Sequence, residues 1–193
     1  MTKAIKHDRQ AAIQKATYLF WEKGFHATSM RNLHDVTDMH PGSIYASFGS
    51  KEGLFKASLH CYADASRQLL ASCVEESSSP LEALKTFVNR VVVEYRESSP
   101  SGMCMLVKTV AELTEENAEL LAEAKQLLSQ VEDLFADLLA QAQACGEIDP
   151  SRDPRRLARV LQMQLMGLRA YTRANDNMEQ VNELIGDVFA GLH

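Results

Sequence analysis

Apolar residues recur at helical spacing through most of this chain, and Gly, Pro and Ser separate the runs in place of strand-like alternation. From Arg9 to Lys23, the residues Ala12, Ile13, Ala16, Leu19 and Phe20 fall on one face of an amphipathic helix, which Gly24 stops. The pair Thr28-Ser29 offers an N-cap to a short second helix bearing Met30, Leu33 and Val36, which ends near Asp38. Pro41 suits the first turn of a third helix, because its missing N–H needs no partner there and its φ is already helical. That helix carries Ile44, Tyr45 and Phe48 and ends at Gly49-Ser50. Ser50 and nearby Gly53 open a longer fourth helix through Lys51, Leu54, Phe55 and Leu59.

Two breaks follow, Glu75-Glu76-Ser77-Ser78-Ser79-Pro80 and Ser98-Ser99-Pro100-Ser101-Gly102. Between them Leu84, Phe87, Val88, Val91 and Val92 predict a helix from Leu81 to Tyr95, and after them Met103–Leu113 predicts another. Thr114 caps a long helix from about Glu115 to Ala144, closed by Gly146 and Pro150. Asp153-Pro154 starts a helix over Arg155–Arg173, and the last runs from about Met178 to Leu192. The expected fold class is all-α with about nine helices, divided into a three-helix N-terminal domain over residues 1–50 and a helical domain over 51–193.

The last helix has a stripe of Val181, Leu184, Ile185, Val188, Phe189 and Leu192. The helix before it is apolar nearly all round between Leu157 and Tyr171 and must be covered on every side. Two readings meet that demand: a helix wholly inside its own domain, or a helix with one face on its own domain and another on a second subunit.

Composition narrows the class. At 193 residues, 46% hydrophobic and 24% charged, the chain has the profile of a folded globular protein. It has no apolar run near the roughly 20 residues of a membrane span, and Met1–Gln10 is polar and unlike a signal peptide, so a cytoplasmic protein without a membrane partner is expected. Cys61, Cys73, Cys104 and Cys145 are scattered without a CxxC pair or a histidine at zinc spacing. Reduced thiols, no metal and no cofactor are the expectation. The net charge of −6 argues against a nucleic-acid partner until it is divided. Eight Lys and Arg against five Asp and Glu leave the first 60 residues at +3, and twelve against twenty-one leave the rest at −9. Five of the six histidines also lie in this basic head.

The segments Gly24-Phe25-His26-Ala27-Thr28-Ser29, Gly42-Ser43-Ile44-Tyr45-Ala46-Ser47-Phe48 and Ser50-Lys51-Glu52-Gly53-Leu54, with Ala16 and Leu19-Phe20 before them, resemble the TetR family of bacterial repressors over roughly residues 9–55. The resemblance implies a helix-turn-helix from Thr28 to Phe48, a DNA-binding domain over 1–50, and a regulatory, ligand-binding and dimerisation domain over 51–193. The second helix of such a motif enters the major groove while the first braces against the backbone. Gly42 allows its N–H close to a phosphate at a helix N-terminus, Ser43, Ala46 and Ser47 are small or polar enough to face DNA, and Tyr45 presents a hydroxyl. Lys51 adds a phosphate contact, and Ser29, Met30 and Arg31 contact the backbone or base edges. Arg31 is either a reader of guanine or a surface arginine. The family turn, usually Ala-Gly-Val-Ser, is Thr37-Asp38-Met39-His40 here. Asp38 must adopt left-handed geometry, and His40, beside Pro41, either contacts DNA with a pH dependence or is merely exposed. Ile44 and Phe48 are expected in the core.

By the same resemblance the protein is a homodimer through its last two helices that binds a double-stranded, palindromic operator as a repressor and leaves it when an unidentified small-molecule effector binds. The expected effector lining is Phe87, Val91, Tyr95, Cys104, Met105, Lys108, Met163 and Met166. The stretch Gly102–Leu113 is similar to a Gly-Cys-Leu…Ala-Glu-Leu segment of one family branch. Relatives with a cysteine near this point, the NemR type among them, respond to electrophiles or oxidants. Cys104 is therefore either a sensor helped by a helix N-terminus and Lys108, or a buried small hydrophobe. The chain has no phosphate loop, nucleophile elbow or metal motif, so an enzyme is not expected, and Glu112, Glu115, Glu116 and Glu119 read as a solvated helix face. A helical ligand-binding protein without DNA binding is the remaining alternative.

Overall fold

The computed structural model describes residues 2–192, and the side chains of residues 9–192. The expectations for Met1–Gln10 and for the outer domain limits lie partly outside the described residues. Every regular element among them is helical: α1 (Thr2–Lys23), α2 (Met30–Thr37), α3 (Pro41–Phe48), α4 (Lys51–Glu76), α5 (Pro80–Asn89), α6 (Met105–Glu112), α7 (Ala118–Ala144), α8 (Pro154–Ala174) and α9 (Met178–Ala190). A π-helical turn, Arg90–Glu94, follows α5, so the helix expected to Tyr95 loses α-geometry in its last turn. The helix expected from Glu115 begins as a 3₁₀ turn, Glu115–Asn117, before α7.

The helices form two compact units. One takes in the chain to Ala65 together with Met105–Leu127; the other takes in Ser66–Cys104 and the chain from Leu128 onward. The expected division between residues 50 and 51 lies at the start of α4, but the first unit continues to Ala65 within that helix and also takes in Met105–Leu127, which the expectation places in the second domain. Side-chain pairing explains this. Glu123 of α7 meets Lys56 and, at 2.8 Å, His60 Nε2 of α4, while α6 holds the end of α1 through Lys108 and Glu112.

In the first unit the α1 stripe is buried as expected, with Ala12, Ile13, Ala16, Leu19 and Phe20 inside along with Leu33, Ile44, Leu54 and Leu59. Phe20 and Phe55 meet edge to face at 4.8 Å between centroids, and Phe25 lies 5.0 Å from Phe55, joining α1, the following turn and α4 in one aromatic cluster. In the second unit Leu84, Phe87, Val88, Phe135, Leu139, Leu161, Val181 and Ile185 form the core. Its helices start at side-chain caps: Ser79 before Pro80, Asp153 before Pro154, and Asn177, whose side chain accepts from the N–H groups of Glu179 and Gln180.

Gly53 shows why the Ser50-Lys51-Glu52-Gly53 sequence opens α4. The Ser50 hydroxyl oxygen accepts the Gly53 N–H at 3.1 Å, and a Cβ on Gly53 would lie 2.0 Å from the Phe48 carbonyl oxygen. The turn between α3 and α4 therefore closes only over a residue without a side chain. Around Gly42 there is no heavy atom within 4 Å of such a Cβ. Gly53→Ala is accordingly expected to cost about 3 kcal/mol in urea unfolding, as a backbone overpacking change, whereas Gly42→Ala should be neutral or stabilising by up to about 1 kcal/mol from helix propensity.

Candidate nucleic-acid interface

The turn between α2 and α3 sets the geometry of the site. Ser29 is the N-cap of α2: its hydroxyl accepts the Asn32 N–H at 3.1 Å, and the Asn32 side chain accepts the Ser29 N–H at 3.0 Å, a reciprocal capping box. At the other end Asp38 has φ 59° and ψ 18°, the left-handed geometry that the departure from the family turn requires, and its N–H donates to the His34 carbonyl at 3.0 Å. The Thr37 hydroxyl oxygen accepts the Met39 N–H, and His34 Nδ1 lies 3.0 Å from the Met39 carbonyl. His40, the extended N-cap residue of α3, stacks its ring on that of His34 at 5.0 Å and 22°. Two histidines thus brace a turn that usually contains glycine in the resembling family.

From this turn α3 points one residue inward and the rest outward. Ile44 is fully buried, whereas His40, Pro41, Gly42, Ser43, Tyr45, Ala46 and Ser47 are exposed, Tyr45 at 52%. Ser29 and Arg31 are exposed at the start of α2, with Met30 half-buried between them. The predicted contact residues from Ser29 to Ser47 therefore reach solvent, apart from the half-buried Met30, on a surface whose exposed α3 side chains other than Tyr45 are short. Phe48 is half-buried, not fully internal as expected, because it closes the last turn of α3 under the Arg9 guanidinium, 4.7 Å above its ring.

Lys51 departs from its predicted place. Its ammonium sits 4.2 Å from the centre of the Phe25 ring, and partial burial pushes its pKa down while Glu52 and Glu112 oppose that shift. In this arrangement it braces Phe25. Three further residues were not read as functional: Arg9, His34 and Lys15, whose ammonium meets the Asp38 carboxylate at 2.9 Å. Lys15 and Asp38 stand 23 positions apart, so only the folded turn brings them together.

The predicted effector residues divide between the two units. Phe87 is buried in the second unit's core against Phe135, with Val91 partly buried beside it. Tyr95 is exposed at the end of the π turn, Met163 is 65% exposed and Met166 is half-buried. Met105 and Lys108 belong to the first unit, and Lys108 donates to the Trp21 and Glu22 carbonyls at 2.6 and 3.0 Å. Cys104 is half-buried immediately before α6. A cleft of about 900 Å³ in the second unit, lined by Lys85, Thr86, Asn89, Asn182, Ile185 and Phe189 among others, contains none of the eight. Glu112 is also displaced from its expected solvated face, because its carboxylate accepts backbone N–H groups of Phe25 and His26. Among the described residues no group of three His, Cys, Asp or Glu is placed to hold a metal, and no helix is long and apolar enough to cross a membrane.

The Asp38 turn generates a pH prediction. The hydrogen bond and charge of Lys15 hold the Asp38 carboxyl below the usual carboxylate range. A lowered folded-state pKa stabilises above the unfolded value, and that contribution is lost as pH falls through the lowered value. Lys15→Met should return the Asp38 titration, followed by carboxyl-carbon NMR, toward the ordinary value of about 4. The stability difference between wild type and variant should shrink below that pH and at high salt.

Known proteins match this chain along both parts. The family model described as bacterial regulatory proteins, tetR family, matches residues 12–58, and the model of the tetracyclin repressor-like C-terminal domain matches residues 80–185. The HTH-type transcriptional repressor ComR of Escherichia coli K12 is 29% identical over 93% of this chain and 86% of its own length. The HTH-type transcriptional repressor DhaR of Mycobacterium sp. GP1 is 22% identical over 95% and 91%. Among solved structures, a cysteine mutant of the TetR family regulator CifR, complexed with 26 bp double-strand operator DNA, superposes with a TM-score of 0.85 at 22% identity, covering 95% of this chain and 96% of that one. A TetR family regulator from Cytophaga hutchinsonii gives 0.81 at 21% identity over 96% and 94%. With a helix-turn-helix head, an all-helical body, and family models that match most of both, the chain belongs to the TetR family of bacterial regulatory proteins.

Proposed function

We propose that this chain is a DNA-binding transcriptional repressor that acts as a two-fold dimer on a palindromic operator and is released by a small-molecule effector. The carrying observation is the face formed by Ser29, Arg31, His40, Pro41, Gly42, Ser43, Tyr45, Ala46 and Ser47, all exposed around the buried Ile44. Short side chains at 42, 43, 46 and 47 let the α3 backbone approach the groove closely. Gly42 offers its N–H to a phosphate, Tyr45 a hydroxyl, and Arg31 the long cationic reach that α3 lacks. Lys51 acts in this reading through Phe25, with any phosphate contact secondary. ComR and DhaR, repressors by name, and CifR, complexed with operator DNA, agree with this role. Such a regulator works where the DNA is, in the cytoplasm.

The dimer reading rests on α8 and α9. Met163, Gly167, Ala170 and Tyr171 are exposed along one row of α8, and Leu184 of α9 is exposed where the rest of its stripe is buried. A row of small and apolar residues at helical spacing lets a second copy pack closely, and a two-fold pair presents two heads to two half-sites. The effector is proposed to bind within residues 80–185, the part that matches the tetracyclin repressor-like C-terminal domain.

Selection of bound DNA from a random pool should return palindromes whose half-sites lie about one helical turn or a multiple of it apart. On the selected site Tyr45→Phe should weaken binding of all sequences alike. Arg31→Ala should relax discrimination at one base pair by about tenfold. Absence of salt-dependent binding in a gel shift would favour the ligand-binding alternative instead. Met163→Glu should convert the dimer to monomer in sedimentation analysis and lower operator affinity; an unchanged dimer would place the interface elsewhere.

A further inference from the structure

The C-terminal end of α1 carries carbonyl groups without helical partners, and the chain then leaves through Gly24 at φ +88° with two consecutive amides exposed to partnering. Two side chains of α6 meet these groups. The Lys108 ammonium takes the Trp21 and Glu22 carbonyls, where the helix dipole favours a cation. Each oxygen of the Glu112 carboxylate accepts one amide: Oε2 from Phe25 at 3.0 Å and Oε1 from His26 at 2.7 Å. The carboxylate is seated so closely that a Cβ on Gly24 would lie 2.5 Å from Oε2.

We propose that Lys108 and Glu112 form a charge clamp on the α1–α2 connection and are positioning residues for DNA binding, an inference that rests on the DNA-binding reading above. The connection they hold leads directly to the site. The Thr28 hydroxyl donates to the Gly24 carbonyl at 2.6 Å, Ser29 then caps α2, and α2 carries Arg31 and the turn to α3. Phe25 is held by its N–H on Glu112 and by its ring beneath Lys51, so α6 and α4 both fix one residue at the pivot. Removing the clamp leaves the Phe20, Phe25 and Phe55 core contacts in place while freeing the backbone between α1 and α2. The loss therefore appears in how well the two helices fit one DNA sequence, and the folding of the chain is retained.

The test uses the full chain with the selected DNA and a scrambled duplex of equal length, read by fluorescence anisotropy, together with amide hydrogen exchange. Glu112→Gln keeps the shape but turns an N–H toward one of the amides. It should weaken selected DNA about tenfold relative to scrambled DNA and speed exchange at Phe25 and His26, with exchange in α9 unchanged. Lys108→Met should lower the same ratio and Lys108→Arg should restore it. An unchanged ratio for Glu112→Gln, an equal loss on both duplexes, or identical behaviour of the two Lys108 variants overturns the clamp. If Glu112→Gln does not fold, the Lys108 pair decides alone. A wild-type chain that prefers no DNA sequence overturns the DNA-binding reading and the clamp with it; wild-type preference with unaffected variants overturns the clamp only.

Discussion

Phe25 is the residue on which the head depends. Its ring packs against Phe55 at 5.0 Å and near Phe20 at 6.5 Å, the Lys51 ammonium lies 4.2 Å from its centre, and its N–H donates to Glu112. A buried aromatic ring resists displacement because many weak contacts must be lost together. The chain on either side of it is then constrained: α1 ends at Lys23, and the Ser29 cap of α2 follows four residues after Phe25. Moving Phe25 would move the start of α2, and with it the surface of Arg31 and, through the Asp38 turn, that of α3.

The turn itself is built by substitution of chemistry. A glycine adopts left-handed φ without steric cost, while Asp38 does so against a Cβ penalty of order 1 kcal/mol. The compensation comes from neighbours: the Asp38 N–H on the His34 carbonyl, the Met39 N–H on Thr37, His34 against the Met39 carbonyl, and the His34–His40 stack. These contacts join the end of α2 to the first residue of α3. The imidazole of His40 is thereby oriented by another imidazole, where a hydroxyl cap would have been oriented by the helix.

What could be read before folding was local. Helix periodicity located the nine α-helices of the described residues, and the caps at Ser29 and Asp153, the prolines at 41 and 154, and the left-handed requirement at Asp38 were all visible because each depends on residues within a few positions. The contacts that were not legible are long in sequence: Lys15 with Asp38, Lys51 with Phe25, and Lys108 with Trp21, the last 87 residues apart. A charged residue at an exposed-looking helical position carries no mark of its partner. The sequence pattern therefore points Lys51 to DNA and Glu112 to solvent, whereas the fold directs both toward Phe25.

The effector lining illustrates a different limit. Phe87 and Met163 occupy equivalent apolar positions in their helical patterns, yet one is buried in the core and the other is 65% exposed. Periodicity states that a residue faces something apolar; it does not distinguish its own core, a second subunit or a ligand. The distinction comes from which neighbours are already satisfied. Around Phe87 the contacts are complete within one unit, and Met163 lies outward with Gly167 and Ala170 on the same row of α8. In the proposed dimer the small residues of such a row would admit the larger ones of a second copy. The same α8 thus supplies core on one side through Leu157, Leu161 and Leu168 and leaves Met163, Gly167 and Ala170 exposed on the other, the side on which the proposed dimer would cover it.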